Sequence, residues 1–185
     1  MTTGTTTLGQ LAGDYTMDVA HTRLGFVARH AMVTKVRGSF DDFDGKFHID
    51  ADPAKSTVAV TIQAASITTR NEQRDAHLKS NDFLAMEEFP EITFVSTTVQ
   101  LVDDQTVQIT GELTIRGTTK PVTFELEFTG SATDPFGNFR VCFEGSLAIN
   151  RKDWGVNWNA ALEAGGVLVS EKVTLEFDVS AIRQN

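Results

Sequence analysis

From Val107 to Ile115 every second residue is apolar or glycine and every residue between is polar: Val107, Ile109, Gly111, Leu113 and Ile115 alternate with Gln108, Thr110, Glu112 and Thr114. Successive strand side chains point to opposite sheet faces, so this rhythm commits the segment to a strand with one buried face. A slip of one residue would turn the whole apolar set outward. The rhythm recurs at Tyr15–Val19, Leu24–Ala28, Phe43–Ile49, Val58–Ile62, Val122–Phe128, Phe139–Ile149 and Val173–Val179. Turns at Arg116–Lys120 and Asp134–Asn138 join neighbouring runs, and such signals recur too closely for crossover helices. The expected class is therefore all-β, with about eight antiparallel strands. Strands this long would leave open edges in a sandwich, whereas closure into a barrel removes them. An eight-stranded interior is either filled by side chains or holds one small ligand. Gly38 and Gly45 interrupt apolar runs and read as bulges or bends.

One stretch breaks the rhythm. In Asp75–Phe94 the apolar residues Leu78, Phe83, Leu84 and Met86 come in clumps that suit helical turns. The expectation is a short helical insertion near residues 74–88. Asn81 or Asp82 would cap its second turn, and Pro90 would end it. Residues 1–12, rich in Thr and Gly, read as a mobile lead-in to a single domain over 13–185.

The chain has 185 residues and a net charge of −9, with no run of Lys and Arg. That total argues against nucleic acid and against anionic membrane surfaces as partners. No apolar run is long enough to span a membrane as a helix. The first residues, MTTGTTTLGQLAGD, have no basic or apolar leader character, which predicts a cytoplasmic protein. The single Cys142 excludes an intramolecular disulfide, and its strand setting predicts burial. Thirteen Phe against one Tyr imply a strongly apolar interior, because buried Phe needs no hydrogen-bond partner.

Few residues suggest chemistry. His21, His30, His48 and His77 have no metal-ligand spacing, and Asp41, Asp42 and Asp44 do not form a calcium loop; no metal or cofactor is expected. No nucleophile elbow or phosphate loop is present. Two candidates for a polar role remain. His30 shares a strand face with Phe26. Asn150–Gly155 gathers Arg151, Asp153 and Trp154, either as a corner in which Arg151 pairs with a carboxylate or as a rim that meets an anionic headgroup.

Several segments together resemble the YceI-like, polyisoprenoid-binding family. They are Asp18–Phe26 with Arg29-His30, Val36–Phe40 with Phe43 and Gly45, and Asp75–Ser80 with Asp82-Phe83-Leu84 and Phe89–Ile92. Leu113–Gly117 with Lys120-Pro121-Val122, and Asn150-Arg151 with Gly155, complete the match. The resemblance implies a lipocalin-like eight-stranded barrel around a long apolar pore, a bound isoprenoid or similar long-chain lipid, and frequent homodimers. It implies no enzymatic activity.

On this reading the inward faces supply the ligand-binding residues. These are Phe26, His30, Phe40, Phe47, Val60, Ile62, Phe83, Phe89, Phe94, Ile109, Leu113, Phe124, Leu126, Phe143, Leu147, Arg151, Trp154, Leu175 and Phe177. Two alternatives stand beside a lipid carrier or store. One is an enzyme acting on a prenyl or quinone-like substrate through His30 and Arg151. The other is a structural or interaction protein with a filled barrel.

Overall fold

A computed structural model describes residues 8–185. Eleven strand segments occur among the described residues: β1 (Gly13–Met17), β2 (Arg23–His30), β3 (Thr34–Phe40), β4 (Phe43–Ile49), β5 (Thr57–Gln63), β6 (Ile67–Thr68), β7 (Glu91–Leu101), β8 (Thr106–Ile115), β9 (Thr118–Thr133), β10 (Phe139–Asn150) and β11 (Lys172–Arg183). They make eight staves. β1 with β2, β3 with β4, and β5 with β6 are broken halves of single staves, interrupted at 18–22, at Asp41-Asp42 and at the 3₁₀ turn Ala64–Ser66. Each stave pairs antiparallel with the next in chain order. β11 closes the ring on the first stave, through Tyr15 opposite Arg183 and Phe26 opposite Leu175. The result is the closed eight-stranded antiparallel barrel that the alternation predicts.

The turns follow the local chemistry. β8 and β9 are joined by Arg116-Gly117 alone, both at positive φ (48° and 71°), the two-residue geometry that matches strand twist. This turn is tighter than the five residues expected. At the second hairpin the Asp134 carboxylate accepts from the backbone N–H groups of Phe136 and Asn138, and Gly137 sits at φ 86°.

Gly38 and Gly45 depart from expectation. Both sit in regular pairing, Gly38 opposite Phe26 and Gly45 opposite Val60. The irregularities fall instead at Cys142/Phe143 and Ser96/Thr98. What the two glycines provide is room: a Cβ on Gly45 would lie 2.2 Å from Met17 Sδ, so the Met17 side chain occupies the space above it. Cys142 is half-buried, because its neighbours Val141 and Phe143 take the inward positions.

The helical insertion is shorter and earlier than expected. α1 spans Glu72–Lys79 and is capped by Asn71, whose side chain accepts from Arg74 N–H, not by Asn81 or Asp82. Beyond Ser80 the chain folds back in turns, with Ala85 at φ 48°, a backbone state that ends a right-handed helix. Asp75 ties α1 to the barrel by accepting from both N–H and Oγ1 of Thr69. The described helices include none long and apolar enough to cross a membrane.

Of the lead-in, residues 1–7 lie outside the described residues. Leu8–Gln10 form a short 3₁₀ turn within the segment expected to be mobile. Leu8 and Leu11 are buried, and the Tyr15 hydroxyl donates to the Leu11 carbonyl at 2.8 Å. These residues lie at the barrel end where β1 starts and β11 finishes. Tyr15, Phe47 and Phe143 pack at that end in a chain of ring contacts, 5.1 Å between the first two and 6.1 Å between the last two.

Candidate functional site

The barrel interior holds an elongated cavity of about 240 Å³. Thirty described residues line it, and Arg151 is the one among them with a polar side chain. On β11 the residues Val173, Leu175, Phe177 and Val179 face it in turn, a run of about 20 Å along the strand. Phe94, Phe124 and Phe177 form one wall, with ring centroids 5.4 and 5.1 Å apart. Phe26 and Phe40 lie 5.9 Å apart across the β2–β3 pair. A smaller cavity of about 90 Å³ lies toward the termini. The two share Met17, Val58, Ile109, Leu126 and Val179 as lining, so these side chains stand between them.

The insertion lies against the far end of the large cavity. Leu78, Phe83 and Leu84 face inward. Phe83 is held by ring contacts with His77 at 5.0 Å and Trp158 at 5.3 Å, and its carbonyl accepts from Arg116 Nη1 at 2.7 Å. His77 is fixed in turn by Asp82, 2.8 Å from Nε2.

Arg151 is only 5% exposed. It opens a 3₁₀ turn, Arg151–Trp154, in which the Asn150 side chain accepts from Lys152 N–H and Gly155 takes a left-handed φ of 78°. No carboxylate pairs with its guanidinium among the described residues. Nε donates to Ser170 O at 2.8 Å, Nη1 to Val156 O at 2.7 Å and Nη2 to Val169 O at 3.3 Å. Glu171 goes instead to Lys152, 2.8 Å away. Burial pulls the Arg151 guanidinium below its ordinary pKa, with the Glu171 charge opposing. The carboxylate expected to pair with Arg151 is thus replaced by carbonyls of the 156–170 segment. Its cationic carbon lies 6.0 Å from the Phe83 ring centre, so a buried cation sits beside an apolar hole.

Of the residues expected to contact ligand, the structure places Phe26, Phe40, Val60, Ile62, Phe83, Phe94, Ile109, Leu113, Phe124, Leu126, Leu147, Arg151, Leu175 and Phe177 on the large cavity. Phe47 and Phe143 face the small one. Three lie on neither. His30 keeps the parity of Phe26 but sits past the rim, exposed, with its backbone bridged to Val169. Phe89 packs beside Gly117 at the β8–β9 turn. Trp154 is buried in the wall and donates from Nε1 to Leu113 O at 2.9 Å. His30 and Arg151 therefore do not converge on one chamber. Lining residues beyond those expected include Ile92, Val122, Ile149 and Val173, which share parity with expected ones on the same strands. Val156 and Val169 come from a segment without periodicity, which carries no such signal.

Known proteins fit this geometry. A YceI-like domain matches residues 15–181. A UPF0312 protein of Staphylococcus aureus (strain MSSA476) is 41% identical over 172 residues, covering 91% of this chain and 95% of its own. Among solved structures, Burkholderia cenocepacia BcnA superposes with a TM-score of 0.78 at 22% identity, over 89% of this chain and 98% of that one. A polyisoprenoid binding domain from Saccharophagus degradans, implicated in plant cell wall breakdown, gives 0.71 at 14% identity, over 92% and 98%. These two share the fold. With the domain match spanning nearly the whole barrel and a relative of such coverage, this chain belongs to the YceI-like family.

Proposed function

We propose that the barrel binds one long-chain isoprenoid or similar amphiphilic lipid along its interior, as a carrier or store. The observation that carries this reading is the large cavity itself: an elongated hole of about 240 Å³ with thirty lining residues and a single polar side chain among them. Such a surface gains about 0.8 kcal/mol for each CH₂ it removes from water, and it selects weakly along a tail. Ordering the chain and the pocket offsets much of the sum. The binding domain from Saccharophagus degradans, with the same fold, supports the choice of an isoprenoid tail. Arg151 is then the one group on the wall able to meet a polar or anionic end, although three of its nitrogens already donate to carbonyls. The reading includes no catalytic step, a cytoplasmic location and a homodimer; turnover assays, cell fractionation and light scattering test these three.

The direct test is organic extraction of natively purified protein followed by mass spectrometry, with titration of a fluorescent long-chain probe. Lipid should be released and the probe should bind with one site per chain. Phe94→Asp and Phe124→Asp each place a charge on the wall and should abolish probe binding. Folded variants that bind as before would remove the cavity from the site.

A further inference from the structure

The total charge of −9 hides a separation. From Val19 to Phe40 the chain contains no Asp or Glu, but it does contain Arg23, Arg29, Lys35 and Arg37. This segment forms the β2–β3 hairpin. Its tip, Ala31-Met32-Val33, leaves Met32 62% and Val33 73% exposed. The tip is built, not frayed. Ala31 N–H donates to Leu168 O at 2.7 Å, Val33 N–H to His30 O at 3.2 Å, and Arg29 Nη1 to Val33 O at 3.1 Å. Val167, 40% exposed, lies on the adjoining segment, where Met32 packs over Gly166. Arg29, Lys35 and Arg37 lie on the hairpin arms, and none forms an ion pair among the described residues. Ala28, two residues before His30, and Val169, bridged to His30, both line the large cavity, so the tip borders that cavity's end.

The opposite end also exposes apolar side chains, Leu101, Val102 and Phe136. There the charges next to them in sequence are Asp103, Asp104 and Asp134, the last paired with Arg140. Apolar exposure coincides with an excess of positive charge at the hairpin tip, where Glu163 is the carboxylate of the adjoining 161–167 turn, and with an excess of negative charge at the other end. An anionic lipid surface rewards the first combination and repels the second, since cations near it are attracted and apolar side chains partition into the headgroup boundary.

We propose that the β2–β3 hairpin tip is a membrane-docking element: Met32, Val33 and Val167 enter the headgroup boundary of an anionic bilayer while Arg29, Lys35 and Arg37 meet its phosphates. The cavity end is thereby presented to the membrane. The docking stands on the surface alone; that it serves lipid exchange rests on the function proposed above. Net charge pointed away from membranes, but charge acts locally once screening limits its reach to about 8 Å.

The test is co-sedimentation of the full chain with vesicles of phosphatidylglycerol and phosphatidylcholine in equal parts, against pure phosphatidylcholine. The protein should bind the anionic vesicles and release them in 0.5 M salt. Each cation contributes about fivefold at an anionic surface, so R29Q/K35Q/R37Q should weaken binding roughly a hundredfold. Met32→Ser with Val33→Ser should weaken it at least severalfold, and Phe136→Ser should leave it unchanged. Circular dichroism and thermal melting establish that each variant is folded. No binding by wild type, equal binding to both vesicles, or binding lost through Phe136 instead of the tip would overturn the proposal. Phe124→Asp separates the two readings: if it loses the cavity probe but still sediments with vesicles, docking holds whatever the cavity takes.

Discussion

The ring of Phe26 lies across Gly38, its register partner on the neighbouring strand: a Cβ on Gly38 would stand 2.3 Å from Phe26 Cζ and 3.0 Å from the Thr68 carbonyl. The glycine is what lets this ring lie against the wall. Gly38→Val should drive the ring into the cavity it now lines. We expect long-chain probe affinity to fall about tenfold and stability to drop by about 1–3 kcal/mol from overpacking. Fluorescence titration and urea unfolding measure the two. Adding Phe26→Ala to Gly38→Val should restore the affinity; if it does not, the ring is not the obstruction.

Met17 stands between the two cavities, seated above Gly45 and lining both. Its side chain is unbranched and adaptable. Met17→Ala should join the chambers and lengthen the alkyl chain that binds best, whereas Met17→Phe should shorten it. A series of probes of increasing chain length reads this as a shift of the optimum in opposite directions. Identical optima in both variants would show that Met17 does not limit length.

Asp134 is pushed up by partial burial, but hydrogen bonds from Asn138, Arg140 and Phe136 outweigh this and take its carboxyl from 3.8 down to about 2. Arg140 also donates from Nη1 to Asp18 at 2.6 Å, so one guanidinium ties the β9–β10 turn to the β1–β2 break. A depressed carboxyl stabilises the fold above its unfolded value, and that contribution is lost as pH falls through its folded value. The Tm difference between wild type and Asp134→Asn should therefore be steady above about pH 4 and shrink as pH falls toward 2. Melting curves across that range check it; a difference that grows on acidification contradicts it.

Arg151 holds Val156, Val169 and Ser170 by their carbonyls. Arg151→Met keeps much of the volume and leaves those carbonyls short of donors. Hydrogen bonds to a charged group are worth about 1.5–3 kcal/mol, and the group is buried, so a loss on the order of 3 kcal/mol is expected. Arg151→Lys should recover little, because an ammonium cannot span three acceptors set around a planar fork. Denaturant midpoints measure both, and near-wild-type stability in Arg151→Met would mean that the 156–170 segment is held by something else.

The period-two pattern placed most of the wall correctly because strand side chains obey a local rule: Leu175 and Phe177 face inward for the same reason that Glu176 does not. Parity says nothing about height along the barrel. Phe47 and Phe143 have the right parity but lie at the other end, where Phe47 stacks on Tyr15 and meets Phe143 edge-on, and His30 has the parity of Phe26 but lies beyond the rim. Phe89 and Trp154 sit in turns, where no period applies, and their rings pack in the wall.

Alternation, turn chemistry and Phe-rich composition were enough to specify an antiparallel barrel with an apolar interior, since each depends on neighbours a few residues apart. Three things depended on residues far apart in the chain and were settled only by closure. The broken staves bring β11 against both β1 and β2, which shuts the ring. Close approach across strands turned Gly38 and Gly45 from expected bends into spaces for Phe26 and Met17. The acid-free stretch Val19–Phe40 became one exposed hairpin whose tip meets the remote segment around Val167, because closure sets segments distant in sequence side by side on one rim.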